Sequence, residues 1–234
     1  RVLMKEIALL YQAAPLPQLS IQYVDYAVWQ RDQQHQIDYW RQQLANPPAI
    51  LQLPIDHARP AMQSFRGARR SFALSPDLSA ALNKLAQQRQ VTLFMPLLAA
   101  FQVLLYRYSG QSDILVGSTV TNRDRAEIQN LIGLFVNNLV FRAQVNPELT
   151  FNAFLQQVKA TALDAYAHQD VPFESVEDAL QVGRQLSYNA LFQVMLILHN
   201  TSEQSFTLPE LTVTALELSN NASRFDLSLD MYQT

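Results

Sequence analysis

Two adjacent amides, Asn137 and Asn138, interrupt an otherwise apolar run that extends from Ile128 to Arg142. A buried amide without a partner costs roughly 1–3 kcal/mol, so these side chains need polar groups nearby, on the protein or on a ligand. Gly133 precedes them and permits a close approach of backbone or ligand. We therefore consider Gly133, Asn137 and Asn138 candidates for lining a substrate channel. The structural alternative is an Asn pair that closes a turn.

His168 is the most plausible acid–base candidate by spacing, because Asp170 could orient its ring. In the structural alternative, which we favour, His168 bonds the last carbonyls of one helix and Asp170 caps the next. Ser118 lacks the second glycine of a nucleophile elbow. The four histidines include no pair at zinc-ligand spacing, and the chain has no cysteine. The sequence thus predicts no catalytic residue and no metal site within this chain.

The composition is that of a globular protein, with 234 residues, 49% hydrophobic content and a net charge of −3. The basic residues are scattered, so no nucleic-acid partner is expected. The most apolar stretch, Leu93 to Tyr106, is interrupted by Pro96 and Gln102. It falls short of the ~18 apolar residues that a membrane-spanning helix needs, so we expect a buried helix and no membrane partner. The absence of cysteine is compatible with a reducing cytoplasm, which is the expected location.

Apolar periodicity then predicts the elements that position these residues. Helices are predicted at 2–11, 24–44, 76–90, 92–109 and 150–167, with a further helix entry at 170–174. Strands are predicted at 69–74, 113–121, 139–145, 191–198, 211–218 and 225–231. The proline-rich residues 46–60 are expected to form an extended linker. The pattern predicts an α/β fold in which helices pack on a mixed sheet.

The segment that contains the amide pair resembles a signature of the condensation domains of nonribosomal peptide synthetases, which reads Ile-Gly-x-Phe-Val-Asn-x-Leu followed shortly by Arg. Three more stretches resemble this family, namely Tyr23–Trp29, His168–Glu174 and the run from Arg184 to Met195. The resemblance covers nearly the whole chain in the right order. It implies a chloramphenicol-acetyltransferase-like lobe with a mixed β-sheet and packed helices.

Two departures from the family pattern bear on function. The family's His-His-x-x-x-Asp-Gly motif carries the catalytic His and lies before the Tyr23–Trp29 segment, but this chain contains no His-His pair. The resemblance therefore implies that residues 1–60 are the end of the N-terminal lobe and the inter-lobe linker. Residues 61–234 would be the C-terminal condensation lobe, incomplete at its C-terminus. In addition, Gln185 and Tyr188 replace the Asp and Arg of the family's Arg-Asp-x-Ser-Arg-Asn-Pro-Leu motif.

The resemblance implies a part of a domain that forms amide bonds between carrier-bound acyl or peptidyl and aminoacyl thioesters. No cofactor would bind directly, because the substrates arrive on phosphopantetheine arms of carrier proteins. The implied partners are the missing N-terminal condensation lobe, upstream and downstream peptidyl carrier proteins, and an adenylation domain. The alternatives are a non-catalytic binding module that recruits carrier proteins or tailoring enzymes, and an epimerisation or heterocyclisation relative. The chain alone is expected to be inactive and to self-associate.

Overall fold

The computed structural model describes residues 2–48, 50–183, 185–199, 208, 210–211, 213–214, 216 and 221–233. Its helices are α1 (Val2–Tyr11), α2 (Tyr23–Arg31), α3 (Ile37–Gln43), α4 (Pro76–Arg89), α5 (Phe94–Ser109), α6 (Phe151–Ala167) and α7 (Phe173–Leu180). Short 3-10 turns occupy Asp32–Gln36 and Ala126–Ile128. The strands are β1 (Asp113–Val120), β2 (Asn137–Gln144), β3 (Val194–His199) and β4 (Leu227–Tyr232).

The four strands form one mixed sheet in the order β2-β1-β3-β4. β2 runs antiparallel to β1, with Val116 opposite Phe141. β3 is parallel to β1, and β4 is parallel to β3. The predicted α/β fold with a mixed sheet is therefore confirmed.

The main core lies between the sheet and helices α5 and α6, which pack against each other. α5 buries eight of its residues, as expected for the most apolar stretch of the sequence. Gly117 lies in β1 where a Cβ atom would collide with the ring of Phe192, so the glycine permits this close approach. Among the described residues no single helix is long and apolar enough to span a membrane. Within the part of the chain that the structure describes, the pair of α4 and α5 passes by combined length and composition, and the two helices are bent by 109°.

Local capping explains why three predicted helices begin and end near the expected residues. The Ser75 side chain accepts a hydrogen bond from the N–H of Leu78 at 3.3 Å, and Pro76 occupies the first turn of α4. Thr150 caps α6 in the same way. Gly110 ends α5 in the left-handed conformation, with φ 70°, which glycine adopts at little cost.

Other predictions differ from the structure. Residues 69–74 form no strand, because no neighbouring strand pairs with this exposed stretch. The helix predicted at 24–44 is interrupted by the polar 3-10 turn at Asp32–Gln36. β3 begins at Val194 rather than at 191. Half of the strand predicted at 211–218 lies outside the described residues, at 212, 215, 217 and 218.

After α3 the chain crosses one end of the sheet and is fastened there by Arg142 of β2. Its guanidinium donates to the carbonyls of Gln43 at 3.1 Å and Ala45 at 2.8 Å, and to that of Asn46 at 3.2 Å. It also forms an ion pair with Asp113, the first residue of β1, at 2.7 Å. This bidentate pair raises the pKa of Arg142. One side chain thus joins the end of α3 to the adjoining ends of two strands.

The same crossing stretch is tied to β3 and β4. The N–H of Leu51 donates to Gln193, which precedes β3, at 2.9 Å. Arg59 forms an ion pair with Asp226, which precedes β4. We call residues 43–59, described except for residue 49, the strap. Through these contacts the strap is held at the same end of all four strands.

Candidate functional site

The amide pair lies at the start of β2, where distant parts of the chain meet. In the register of the sheet, Asn137 is opposite Val120 and Asn138 is opposite Thr119. Around them lie α2, the loop from 121 to 136 and the loop from 168 to 172. The start of β2 is therefore the point where α2 and two loops that are distant in the sequence come together.

Asn137 uses its whole amide within the protein. Its Nδ2 donates to the carbonyls of Gln169 at 2.8 Å and Val171 at 2.7 Å. Its Oδ1 accepts from the backbone N–H groups of Phe173 and Asn138, both at 3.0 Å. Two donors and two acceptor positions are all that an amide offers. Asn137 is 7% exposed and fixes the start of α7 to β2.

Gly133 precedes Asn137 in the loop before β2, and Asn138 follows it in the strand. The glycine faces the ring of Tyr23, which occupies the space that a Cβ atom would need. The Tyr23 hydroxyl donates to the carbonyl of Leu134 at 2.9 Å, so α2 is fastened to the loop before β2. Asn138 is half-buried. The role of Gly133, Asn137 and Asn138 in a substrate channel stays a prediction.

Arg123 organises the loop before β2, and sequence reasoning did not single it out. Its guanidinium donates to the carbonyls of Ile128 at 2.7 Å and Leu131 at 3.0 Å. It also lies 4.1 Å from the ring centroid of Phe135. Partial burial lowers the pKa of Arg123. An Arg in a polar loop gives no sequence signal for this role, because its acceptors are backbone carbonyls.

A second polar cluster surrounds Asp170. Asn122 is 4% exposed and donates from Nδ2 to the hydroxyl of Tyr26 at 3.0 Å. Burial raises the pKa of Asp170, against an opposing effect of Arg125. The nearby side chains of Gln36 and Asn122 act to lower the pKa of Asp170. Burial also raises the pKa of Tyr26 to about 12. The cluster therefore favours the protonated forms of the Asp170 carboxyl and the Tyr26 hydroxyl.

His168 takes a structural position. His168 ends α6, where its Nδ1 lies 2.8 Å from the carbonyl of Asp164 and its ring stacks on Tyr39 at 4.0 Å. The predicted bond to a helix-end carbonyl is therefore confirmed. The expectation that Asp170 caps the next helix is wrong, because Pro172 is the N-cap of α7. In the described part of the chain, no group of three or more His, Cys, Asp or Glu is placed to hold a metal ion.

An apolar surface borders the site. In the loop before β2, Leu131 and Phe135 are buried in a small aromatic cluster under α2. The residues between and beside them are exposed, as are two residues of α2. These exposed residues are Val24, Val28, Ile132, Leu134 and Val136. The polar contacts of Asn137 and Arg123 thus support a ridge of apolar side chains that faces away from the core.

Comparison with known sequences identifies the family. The chain matches the family described as Condensation domain over residues 1–234, and it belongs to that family. It is 46% identical to one of the linear gramicidin synthase proteins of Brevibacillus parabrevis, over 98% of this chain and 5% of that protein. It is 42% identical to tyrocidine synthase 3 of Brevibacillus parabrevis, over 98% of this chain and 4% of that protein. The chain therefore spans less than a tenth of these relatives.

Solved structures agree with this assignment. The X-domain from teicoplanin biosynthesis has a TM-score of 0.89 and 26% identity, covering 100% of this chain and 56% of that one. A four-domain nonribosomal peptide synthetase bound to AMP and glycine has a TM-score of 0.70 and 28% identity, covering 74% of this chain and 13% of that one. The expected chloramphenicol-acetyltransferase-like fold and the resemblance to condensation domains are thus confirmed.

Proposed function

We propose that this chain is part of a condensation domain that forms amide bonds in nonribosomal peptide synthesis. The observation that carries the proposal is the meeting of three signature segments at Asn137. The segment 132–139 contains this residue, His168–Glu174 is bonded to it, and Tyr23–Trp29 packs on the loop before it. The three segments that resemble the family therefore meet in one region of the fold, which supports a shared role in shaping the channel.

The proposed reaction joins two carrier-bound substrates. The amine of an aminoacyl thioester attacks the carbonyl carbon of an acyl or peptidyl thioester, the amide bond forms, and the donor carrier's thiol leaves with the proton. Phosphopantetheine arms of upstream and downstream peptidyl carrier proteins would present both substrates, and an adenylation domain would load them. We assign residues 61–234 to the C-terminal lobe and Gly133, Asn137 and Asn138 to the wall of its channel. The proposed location is the cytoplasm.

The catalytic His would come from an N-terminal lobe, because the family motif is absent from this sequence. We therefore expect no amide formation by this chain alone at any pH, since general acid–base catalysis typically contributes about 10²–10⁴-fold. Adding a lobe with the His-His-x-x-x-Asp-Gly motif should restore turnover. In the restored domain, Asn137→Ala should slow the reaction more than His168→Ala. Single-turnover transfer from an acyl-loaded to an aminoacyl-loaded carrier measures each rate.

Two results would contradict this proposal. The first is product formation by the chain alone above the rate without protein. The second is a folded His168→Ala domain without activity, because the His168 ring bonds a carbonyl at a helix end and stacks on Tyr39. Circular dichroism of each variant serves as the folding control.

A second candidate function is a non-catalytic module that recruits a tailoring enzyme. It is favoured by the TM-score of 0.88 with the teicoplanin X-domain that was solved in complex with OxyB. A domain of this kind would fail in the transfer assay after the N-terminal lobe is added, yet would bind a tailoring enzyme in a direct titration. Epimerisation or heterocyclisation would instead appear as inverted product chirality or loss of water from the product.

A further inference from the structure

A cavity of about 340 Å³ lies at the outer edge of β2, at the opposite end of the strand from Asn137. One wall is formed by four consecutive β2 residues, 141–144. The facing wall is one side of α6, with Phe154, Gln157, Val158 and Thr161 at helical spacing. The cavity therefore lies between a strand edge and a helix, and its volume is at the lower end of the range for ligand sites, which begins at about 300 Å³.

The backbone at this edge has hydrogen-bonding groups directed away from the sheet. The N–H of Val145 donates to the carbonyl of Ser112 at 2.8 Å, which continues the antiparallel pairing of β1 and β2. Residues of an antiparallel strand alternate between bonding this neighbour and facing away from it. Ala143 therefore bonds toward β1, whereas Arg142 and Gln144 direct their N–H and C=O groups outward. Within the described chain β2 is the last strand of the sheet at this side.

The walls of the cavity combine polar and apolar side chains and carry no free charge. The guanidinium of Arg142 is engaged by Asp113 and by three strap carbonyls. Gln102 is 1% exposed and donates from Nε2 to the carbonyl of Phe141 at 3.2 Å. Gln157 and Thr161 line the rim, and Val158 lies below them. Such walls complement a neutral ligand that offers N–H and C=O groups beside a small apolar side chain.

We propose that this groove binds an extended, uncharged peptide segment of another protein, which adds a fifth strand to the sheet at β2. A central peptide residue donates its N–H to the carbonyl of Arg142 and accepts from the N–H of Gln144. Its side chain points toward Val158 on α6, and the side chains of the flanking residues point to the opposite face of the sheet, because side chains alternate along a strand. Main-chain bonds supply the affinity and the pocket supplies the selectivity, as in other strand additions. This site is independent of the proposed amide formation.

The test uses the blocked peptide acetyl-Thr-Val-Thr-amide, titrated into the isotope-labelled chain and followed by NMR. The amide protons of Arg142 and Gln144 should show the largest shifts and become protected from exchange. Gln157→Trp should fill the groove and weaken binding at least tenfold. Gln156→Trp is the matched control, because this exposed neighbour on α6 lies outside the cavity lining, and it should change the affinity less than twofold.

A second arm does not depend on any protein variant. The same peptide with an N-methyl group on its valine cannot donate to the carbonyl of Arg142, and it should bind at least tenfold more weakly. The proposal is overturned if the methylated peptide binds equally well or if both Trp variants weaken binding alike. It is also overturned if the chain is a dimer that Gln157→Trp converts to a monomer, because the occupant would then be a second copy.

Discussion

Asn137 joins β2 to the loop before α7 and to Phe173, the first residue of α7, through three of its four hydrogen bonds, and this contact governs the local geometry of the candidate site. Asn137→Ala leaves the N–H of Phe173 and two loop carbonyls without these partners. We expect a loss of about 2–3 kcal/mol in the free energy of unfolding, since each stranded buried group is costly. Urea denaturation measures the loss. Asn138→Ala is the matched control, and a loss as large as that of Asn137→Ala would show that the loop contact is not the cause.

Asp170 provides a prediction about pH. Because burial raises its pKa, the folded chain binds this proton more tightly than the unfolded chain does. The carboxyl group therefore stabilises the fold while protonated, and that contribution is lost as the pH rises through the raised pKa. Asp170→Asn cannot ionise and should have a higher Tm than the unmodified chain at pH 7. The difference should shrink as the pH falls below the raised pKa.

Thermal unfolding at several pH values tests this expectation, with Asp56→Asn as the control because Asp56 lies exposed in the strap. An Asp170→Asn variant that is less stable at pH 7, or a difference that grows on acidification, would reverse the assigned sign.

The contacts of single residues show what the sequence could not predict. The amide pair was recognisable as a site that needs partners, because polar groups in an apolar run are costly. The partners themselves are carbonyls and an N–H group 32 to 36 residues further along the chain. Backbone groups carry no residue-type signal, so neither the contacts of Asn137 nor those of Arg123 could be predicted. Gly133 was recognised as a close approach, but the ring of Tyr23 could not be named.

At the scale of elements, we expect Arg142 to stabilise the attachment of the strap more than an exposed ion pair would. Arg142→Met would leave Asp113 and three carbonyls without their cation, and both ionic side chains are about four-fifths buried. We expect a loss of about 2–4 kcal/mol in unfolding free energy, because removing one partner strands the other. Arg41→Met breaks the exposed pair with Asp38 and should cost less than about 1 kcal/mol.

Hydrogen exchange should locate the effect of Arg142→Met. The amides of Leu51 and Gln52 should lose protection in this variant, since the strap would be free to leave the sheet at its first anchor. Unchanged protection of these amides would mean that Gln193 and Gln111 hold the strap without Arg142.

Elements with local signals were predicted well. Caps at Ser75, Thr150 and Gly110 act within one helical turn, so their sequence positions define the helix ends. The strand predicted at 69–74 failed because alternation alone does not make a strand when no neighbour offers hydrogen bonds. The strap was predicted only as an extended linker, since its four anchors come from residues far along the chain.

At the scale of the molecule, α1 exposes an apolar surface. None of its residues is buried, and its large exposed side chains are Leu3, Met4, Ile7, Leu10 and Tyr11. Contiguous apolar patches above a few hundred Å² favour association. We expect the isolated chain to form dimers or larger species, and replacing Leu3, Ile7 and Leu10 by Gln should shift it toward the monomer. Light scattering at increasing concentration measures the mass.

Leu163→Gln is the control, because Leu163 is an exposed leucine on α6, away from this helix. A monomeric chain at high concentration, or a control as effective as the α1 variant, would show that α1 does not mediate association. The family and fold were predictable from the order of signature segments, whereas the exposure of α1 required the packing of the whole chain.

The strap also has a consequence for synthetase engineering. Its ion pair between Arg59 and Asp226 joins residues that are far apart in the sequence, whereas Arg142 holds it through backbone carbonyls. A chimera whose parental boundary falls between 59 and 113 would combine a strap from one parent with strand ends from another. Asp113 and Arg142 then come from the same parent, so such a hybrid depends on matching charges only at 59 and 226. Compatibility of parents can therefore be screened at these two positions before any chimera is built.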